Sequence, residues 1–359
     1  MKYLHALNKI NGLGPQKMRL LLGFFGSYER AWKADVSELS RVKLGGSLAE
    51  KIGIERKKID PENEWEKLLL ENIILLSPDS PDYPDLLKKI HNPPHAIYMR
   101  GATNLNSFHM ISVVGSRNMT AYGLDAAARL SKELAESGFS VVSGLALGID
   151  AAAHKAALQA SGHTVAVLGS GVDDMNIFPR ANFSLAKEII RSGGAVMSDY
   201  PPGTPASNTT FPARNRIIAG LSLGTLVIEA AEKSGALITA KHALEFNREV
   251  FSVPGSIFSP YSIGTNKLIK RGAKIAMDVG DILEEFEFKD IRKDAPAAQK
   301  NPENEEEKRI LDALSIVPLH IDNLGKLTRL ETATLSSTLS MLEIKGWIKN
   351  VGGQNYIIT

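Results

Sequence analysis

A parallel α/β sheet wound in two directions from its centre is predicted for the middle of this 359-residue chain by three observations. Short apolar runs rich in β-branched residues recur at 110–115, 139–143, 164–169, 195–198, 225–229 and 249–253, with a further one near 274–277. Helical patterns lie between them, at 121–137, 150–160, 182–191 and 235–247. Several of the runs end in glycine turns. Strands that are apolar at every position must be covered on both faces, and alternation with helices supplies that cover and makes the strands parallel. The class is α/β, with a Rossmann-like doubly wound core over 77–288.

The elements before the core have a different rhythm. Leu4, Leu7 and Ile10 precede Leu13-Gly14-Pro15 and then Met18, Leu20, Leu21 and Leu22, which is helix, tight turn, helix. A looser echo runs from Leu39 to Ile52 around Gly45-Gly46. The first copy resembles a helix-hairpin-helix (SAM-like) unit, whose glycine turn can offer backbone N–H groups to a DNA phosphate. A plain helical bundle over 1–76 is the alternative. A proline-rich passage, Ser77 to Pro84 and then Asn92-Pro93-Pro94, leads into the core.

Beyond the core, 289–304 is charged and almost free of apolar residues, the composition of a linker. Helices are expected at 305–314, 321–327 and 331–345, followed by a hairpin around Gly352-Gly353, so 305–359 has the layout of a winged helix. A third helix that reads DNA carries Arg or Lys. This one offers Glu331, Thr332, Thr334, Ser336, Ser337, Thr338, Ser340 and Glu343, which favours protein contact.

Composition sets limits. Apolar residues make up 43% and charged residues 23%, enough for sizeable cores and too apolar for wholesale disorder. The net charge of +2 excludes a molecule coated with positive charge, so any polyanion site is a local patch. Zero cysteines exclude disulfides, thiolate-held metals and a thiol nucleophile. The opening residues hold no apolar run of signal-peptide length, and no stretch of ~18 apolar residues occurs. A soluble cytoplasmic protein without membrane insertion is expected.

In a parallel sheet the ligand sits beyond the carboxyl ends of the strands, where glycine turns aim N–H groups at an anion. Three such turns follow the first three parallel strands: Gly115-Ser116-Arg117, Ser143-Gly144 leading to Gly148-Ile149-Asp150, and Gly169-Ser170-Gly171. Arg117 adds a guanidinium fork suited to phosphate. The second turn lacks GxGxxG spacing and the P-loop pattern is absent, which argues against NAD and against an ATP-type site. Asp150 and His154 stand four apart on one helix, either as an acid–base pair or as a cap and a packed histidine. Thr209 to Ser222 is the densest polar stretch; there Arg214, Asn215 and Arg216 are phosphate hooks and Phe211 a surface for a base. Glu229 ends a strand as a general base or as an anchor for Arg214 or Arg216. The loop through Ser234 and Gly235 into a helix bearing Thr239 offers further donors.

These same residues carry a resemblance. Phe211 to Ser222, Glu229-Ala230, Lys233 to Ala240, Val253 to Ser256, Gly115 to Arg117, Ser143 to Asp150 and Ser262 to Ile269 together are similar to the DNA-processing protein A family (DprA, or Smf). The likeness spans 77–288, and the helical and winged flanks match the family's common layout. The resemblance implies a single-stranded DNA-binding recombination mediator of natural transformation, which protects incoming DNA and helps load the RecA recombinase, with no catalytic residue, cofactor or metal. It implies a homodimer through the late part of the core, at Asn266, Lys267, Leu268 and Ile275. The implied nucleic-acid pocket takes in Gly115, Ser116, Arg117, Phe211, Arg214, Asn215 and Arg216. The turn residues Ser143, Gly144, Gly169, Ser170, Ser234, Gly235 and Thr239 complete the expected site. Relatives place a lysine just before the Phe-Pro pair, where this chain has Asn208-Thr209-Thr210; Lys241 or Lys155 is the expected substitute. Two other readings stay open. One is a phosphoribohydrolase-like enzyme on nucleotides, although Leu223 to Glu229 lacks that group's Pro-Gly-Gly element; the other is an adaptor that binds no DNA.

Overall fold

Residues 1–286, 302, 304–314, 319–345, 347–350 and 352–358 are described by the computed structural model. The chain divides into two compact units, Met1–Ala295 and Pro296–Thr359. Apart from Pro302 and Asn304, the expected linker at 289–304 lies outside the described residues.

Six helices open the first unit: α1 (Lys2–Asn8), α2 (Pro15–Phe25), α3 (Tyr28–Lys33), α4 (Val36–Ser40), α5 (Leu48–Glu55) and α6 (Pro61–Leu70). Local chemistry sets their ends. Gly14 precedes Pro15, whose missing N–H costs nothing in the first helical turn. Asp35 and Glu38 form a reciprocal capping box on α4. The apolar side chains Leu4, Leu7, Met18, Leu21, Leu39 and Ile52 are fully buried. They share one hydrophobic cluster with Tyr98, Ala166, Leu168 and Val196 of the sheet, so the helices form a layer on the sheet. His5 Nδ1 and the Tyr98 hydroxyl, 2.9 Å apart, join the two layers by a hydrogen bond.

The sheet follows with β1 (Ile74–Leu76), α7 (Asp85–Lys88), β2 (Ile97–Gly101), β3 (His109–Val114), α8 (Ala121–Glu136), β4 (Phe139–Ser143), α9 (Ile149–Gln159), β5 (Thr164–Val167), α10 (Phe183–Arg191), β6 (Ala195–Ser198), α11 (Thr210–Leu221), β7 (Gly224–Val227), α12 (Ala236–Glu245), β8 (Glu249–Ser252), α13 (Ile263–Lys270), β9 (Lys274–Ile275) and α14 (Gly280–Glu285). Nine strands run in the order β1-β2-β6-β5-β4-β3-β7-β8-β9. From β6 to β9 every neighbour is parallel, the doubly wound arrangement expected. Beyond the expected strands, β1 and β2 extend the β6 edge antiparallel, with Met99 opposite Met197.

Successive residues of β3 serve opposite faces, as a pleated strand requires. Ile111 and Val113 pack with α8 and α9, whereas Met110 and Val114 pack with α11 and α12. Between them the buried Ser112 hydroxyl lies 2.7 Å from Thr225 Oγ1, a hydrogen bond across the β3–β7 pair.

The second unit comprises α15 (Glu305–Ala313), β10 (Leu319–His320), α16 (Ile321–Thr328), α17 (Thr332–Ile344), β11 (Ile348–Asn350) and β12 (Asn355–Ile358). Its three strands pair antiparallel in the order β10-β12-β11, the wing of a winged helix. Ile310, Leu324, Leu335, Leu339 and Leu342 form its core. On α17 the Ser337, Thr338 and Ser340 hydroxyls donate to carbonyls of their own helix at 2.8–3.0 Å, which takes them away from base edges. No helix among the described residues is long and apolar enough to cross a membrane.

Candidate nucleic-acid interface

The winding of the sheet reverses at β3. Its chain successor β4 lies on one side, while β7 lies on the other. The turns that leave β3 and β7 therefore diverge and leave a crevice above the carboxyl ends, the usual place for a ligand in an open α/β sheet. A cleft of about 520 Å³ occupies this position. Its walls come from the turn after β3 (Gly115, Ser116, Arg117, Asn118), the turn after β7 with the start of α12 (Lys233, Ser234, Gly235, Thr239), and α11 (Phe211, Arg214, Asn215).

Arg214 is the floor. It is 4% exposed, and its Nη1 donates to the Gly144 carbonyl at 2.7 Å and to the Val167 carbonyl, at the ends of β4 and β5. A Cβ on Gly144 would stand 2.5 Å from that nitrogen, so only glycine lets the guanidinium lie against the turn. Burial lowers the Arg214 pKa to about 10; the Asp150 carboxylate opposes the shift and Arg117 adds to it. The group stays charged at neutral pH. Asp150 accepts N–H bonds from Gly144 (3.1 Å) and Ala146 (3.4 Å), and burial raises its pKa against the pull of Arg214.

Above the floor, the Arg117 guanidinium stands 4.9 Å from the Phe211 ring centroid, a cation–π contact at the lip. Phe211 packs against the turn after β5, where a Cβ on Gly169 would come within 2.9 Å of its ring. Asn215 bridges α11 to the opposite wall by donating to the Gly235 carbonyl at 3.2 Å. Among the described residues neither Arg117 nor Lys233 has an ion-pair partner, so both cations face solvent at the cleft. At α12 no side chain caps Gly235, and Thr239, 1% exposed, lies one turn inside.

The structure thus brings Gly115, Ser116, Arg117, Phe211, Arg214, Asn215, Ser234, Gly235 and Thr239 together. It places the other expected residues beneath or away from the cleft. Ser143 donates to the Val113 carbonyl at 2.7 Å, inside the sheet. Gly144 and Gly169 act by admitting Arg214 and Phe211. Ser170 is buried, its hydroxyl 3.3 Å from the Gly171 carbonyl. Arg216 turns to the other side of α11, pairing with Asp199 at 2.6 Å and donating to the Asn92 carbonyl at 3.0 Å.

Two acid–base possibilities dissolve on geometry. The Glu229 carboxylate accepts from the Thr120 N–H (3.0 Å) and hydroxyl (2.5 Å), which ties it to the start of α8. It anchors neither arginine. Asp150 and His154 are unpaired, since His154 Nδ1 meets Thr164 Oγ1 at 2.7 Å; that hydroxyl donates to the Val141 carbonyl, so His154 is the donor here. Burial holds the His154 pKa at about 3, and it is neutral.

Neither Lys155 nor Lys241 lines the cleft; Lys241 lies 3.6 Å from Glu245 as an ion pair. Lys233 is the lysine at the wall, and Asn118, Asn208 and Tyr261 join it there. Its signal in the sequence was position: it stands immediately before Ser234-Gly235. Of the residues expected at a dimer contact, Ile275 is 46% exposed, Asn266 is engaged with the Gly255 backbone, and Lys267 pairs with Glu232. Leu268 lines a second groove, of about 450 Å³, beside α12 and α13.

Comparison with known proteins gives a consistent picture. Residues 74–287 match the family model described as DNA recombination-mediator protein A, and residues 294–354 match that of the DprA winged helix domain. Protein Smf of Synechocystis is 35% identical over 99% of this chain and 98% of its own length. The DNA processing protein DprA of Bacillus subtilis is 44% identical over 60% of this chain and 72% of its own. Among solved structures, DprA of Streptococcus pneumoniae superposes with a TM-score of 0.70 at 34% identity, covering 80% of this chain and 99% of that one. DprA of Helicobacter pylori, whose structure concerns its single-stranded DNA binding mode, superposes with a TM-score of 0.54 at 27% identity over 60% of this chain and 95% of that one.

Proposed function

Because the chain belongs to the DNA recombination-mediator protein A family, we propose that its switch-point cleft binds single-stranded DNA without strong sequence preference and performs no catalysis. The observation that carries this is the lip of the cleft, where Arg117 stands over Phe211 and where Lys233, without an ion-pair partner among the described residues, lines the same cleft. Cations for the backbone beside an aromatic face for a base are the parts a sequence-tolerant single-strand site needs. A relative's single-stranded DNA binding mode supports the same reading. With Glu229 and Asp150 held by backbone N–H groups, the cleft offers no free carboxylate base among the described residues, which disfavours a nucleotide hydrolase.

The near-zero net charge confines affinity to a few phosphate contacts. About 3 to 5 contacts per subunit correspond to a slope of log affinity against log salt of roughly −2 to −4. Fluorescence anisotropy with a labelled oligothymidine and the matching duplex, titrated at several salt concentrations, tests the proposal. Salt-sensitive preference for the single strand is expected; no binding by folded protein at low salt would overturn it.

The family reading extends to a homodimer through α13 and β9 and to loading of RecA on the bound strand in transformation. Exposed Ile275 and Met277 at that edge support the dimer, and sedimentation of a monomer at all concentrations would refute it. For RecA, the expected result is faster strand exchange on strands coated by a single-strand-binding protein; no acceleration would refute the loading role.

A further inference from the structure

The aromatic surface continues past the cleft. Phe178, on the loop between β5 and α10, has its ring centroid 5.8 Å from that of Phe211, with the planes at 31°. It is 49% exposed. The loop that presents it is fastened at both ends. Asp173 accepts the Gly203 N–H at 2.8 Å, Asp174 pairs with Arg100 (2.5 Å) and Lys187 (2.7 Å), and the Asn182 amide donates to the Leu145 and Ala146 carbonyls at 2.8 and 3.1 Å. The preceding Ile177 is buried and accounts for the packing. The ring is thus half in water, beside the cleft and next to Phe211, where a ligand can reach its face.

Its relation to Phe211 gives the ring a task. Arg117 covers Phe211 at the lip, whereas among the described residues no cation stands over Phe178. A stacked strand rises ~3.4 Å per nucleotide and an extended one more, so neighbouring bases can span a ring separation of 5.8 Å. Every base has a π-face, so such a platform adds affinity without sequence preference. We propose that Phe178 is a second base platform, on which a strand leaving the cleft stacks its next base. The proposal rests on the single-strand reading of the cleft.

The test compares the full-length chain with Phe178→Ala and Phe178→Tyr by anisotropy. The probes are labelled oligothymidine and a strand of equal length whose sugars carry no bases. On oligothymidine, Phe178→Ala is expected to bind about 10-fold more weakly with an unchanged salt slope, and Phe178→Tyr to restore binding. On the abasic strand the alanine variant and the wild type should bind alike. Equal binding of oligothymidine by Phe178→Ala and wild type, or an equal loss on the abasic strand, would overturn the platform while leaving the cleft reading intact. Failure of the wild type to bind either strand would overturn both.

Discussion

Arg117 and Arg214 both border the cleft, yet their surroundings assign them different work. Arg214 has given its Nη1 to two strand-end carbonyls and feels the charge of the Asp150 carboxylate, so it shapes the floor and sets a positive potential. Arg117 is exposed, holds only a ring face among the described residues, and is free to exchange that contact for a phosphate. Arg117→Ala is therefore expected to weaken binding of every single-stranded sequence similarly and to flatten the salt slope by about 0.7, the share of one phosphate on a single strand. Anisotropy at four salt concentrations reads this directly, and an unchanged slope would remove Arg117 from the phosphate contacts.

At the scale of elements, α11 couples the site to the sheet. Its Arg216, two residues beyond Arg214, pairs with Asp199 just past β6, both side chains about 15% exposed. Removing one member of a nearly buried pair strands the other charge. Arg216→Ala is expected to cost roughly 3 kcal/mol of stability, seen as a lower urea midpoint, while the salt slope of the folded protein stays as it was. Two residues of a helix are ~200° apart, so the Arg-Asn-Arg run could not have sent both arginines into one cleft. The expectation that both line the pocket overlooked that periodicity. The parallel strands were legible because 109–114, 139–143 and 164–167 are mostly apolar and β-branched and lead into the glycine turns at Gly115, Gly144 and Gly169. Strands β1 and β2 were not, since they lie on either side of the proline-rich passage at 78–94, outside the strand–helix alternation that marks the others. Lys233 was quoted within a motif without a role, because sequence spacing does not tell which wall faces the opening. Phe178 gave no signal at all, for its exposure depends on how the loop is pinned.

Across the whole molecule, buried histidines bind stability to pH. Burial depresses His5 and His95 to about 4 and His154 to about 3, from an unfolded value near 6.5. Above pH 6.5 both states are neutral at these sites and stability is fully present. As the pH falls below 6.5 the unfolded chain takes up protons that the folded chain refuses, and stability declines until the folded values are reached near 4. Each histidine contributes up to about 1.4 kcal/mol per pH unit in that window. Thermal melting should show a steep fall between pH 6.5 and 4.5, and His154→Gln should make it shallower; a flat melting temperature over that range would refute the account.

The nine-stranded sheet closes on strands of three residues at one edge and two at the other. Edges that short offer almost no template for another backbone. A contact between copies at either edge is therefore expected to rest on side chains rather than on a shared strand.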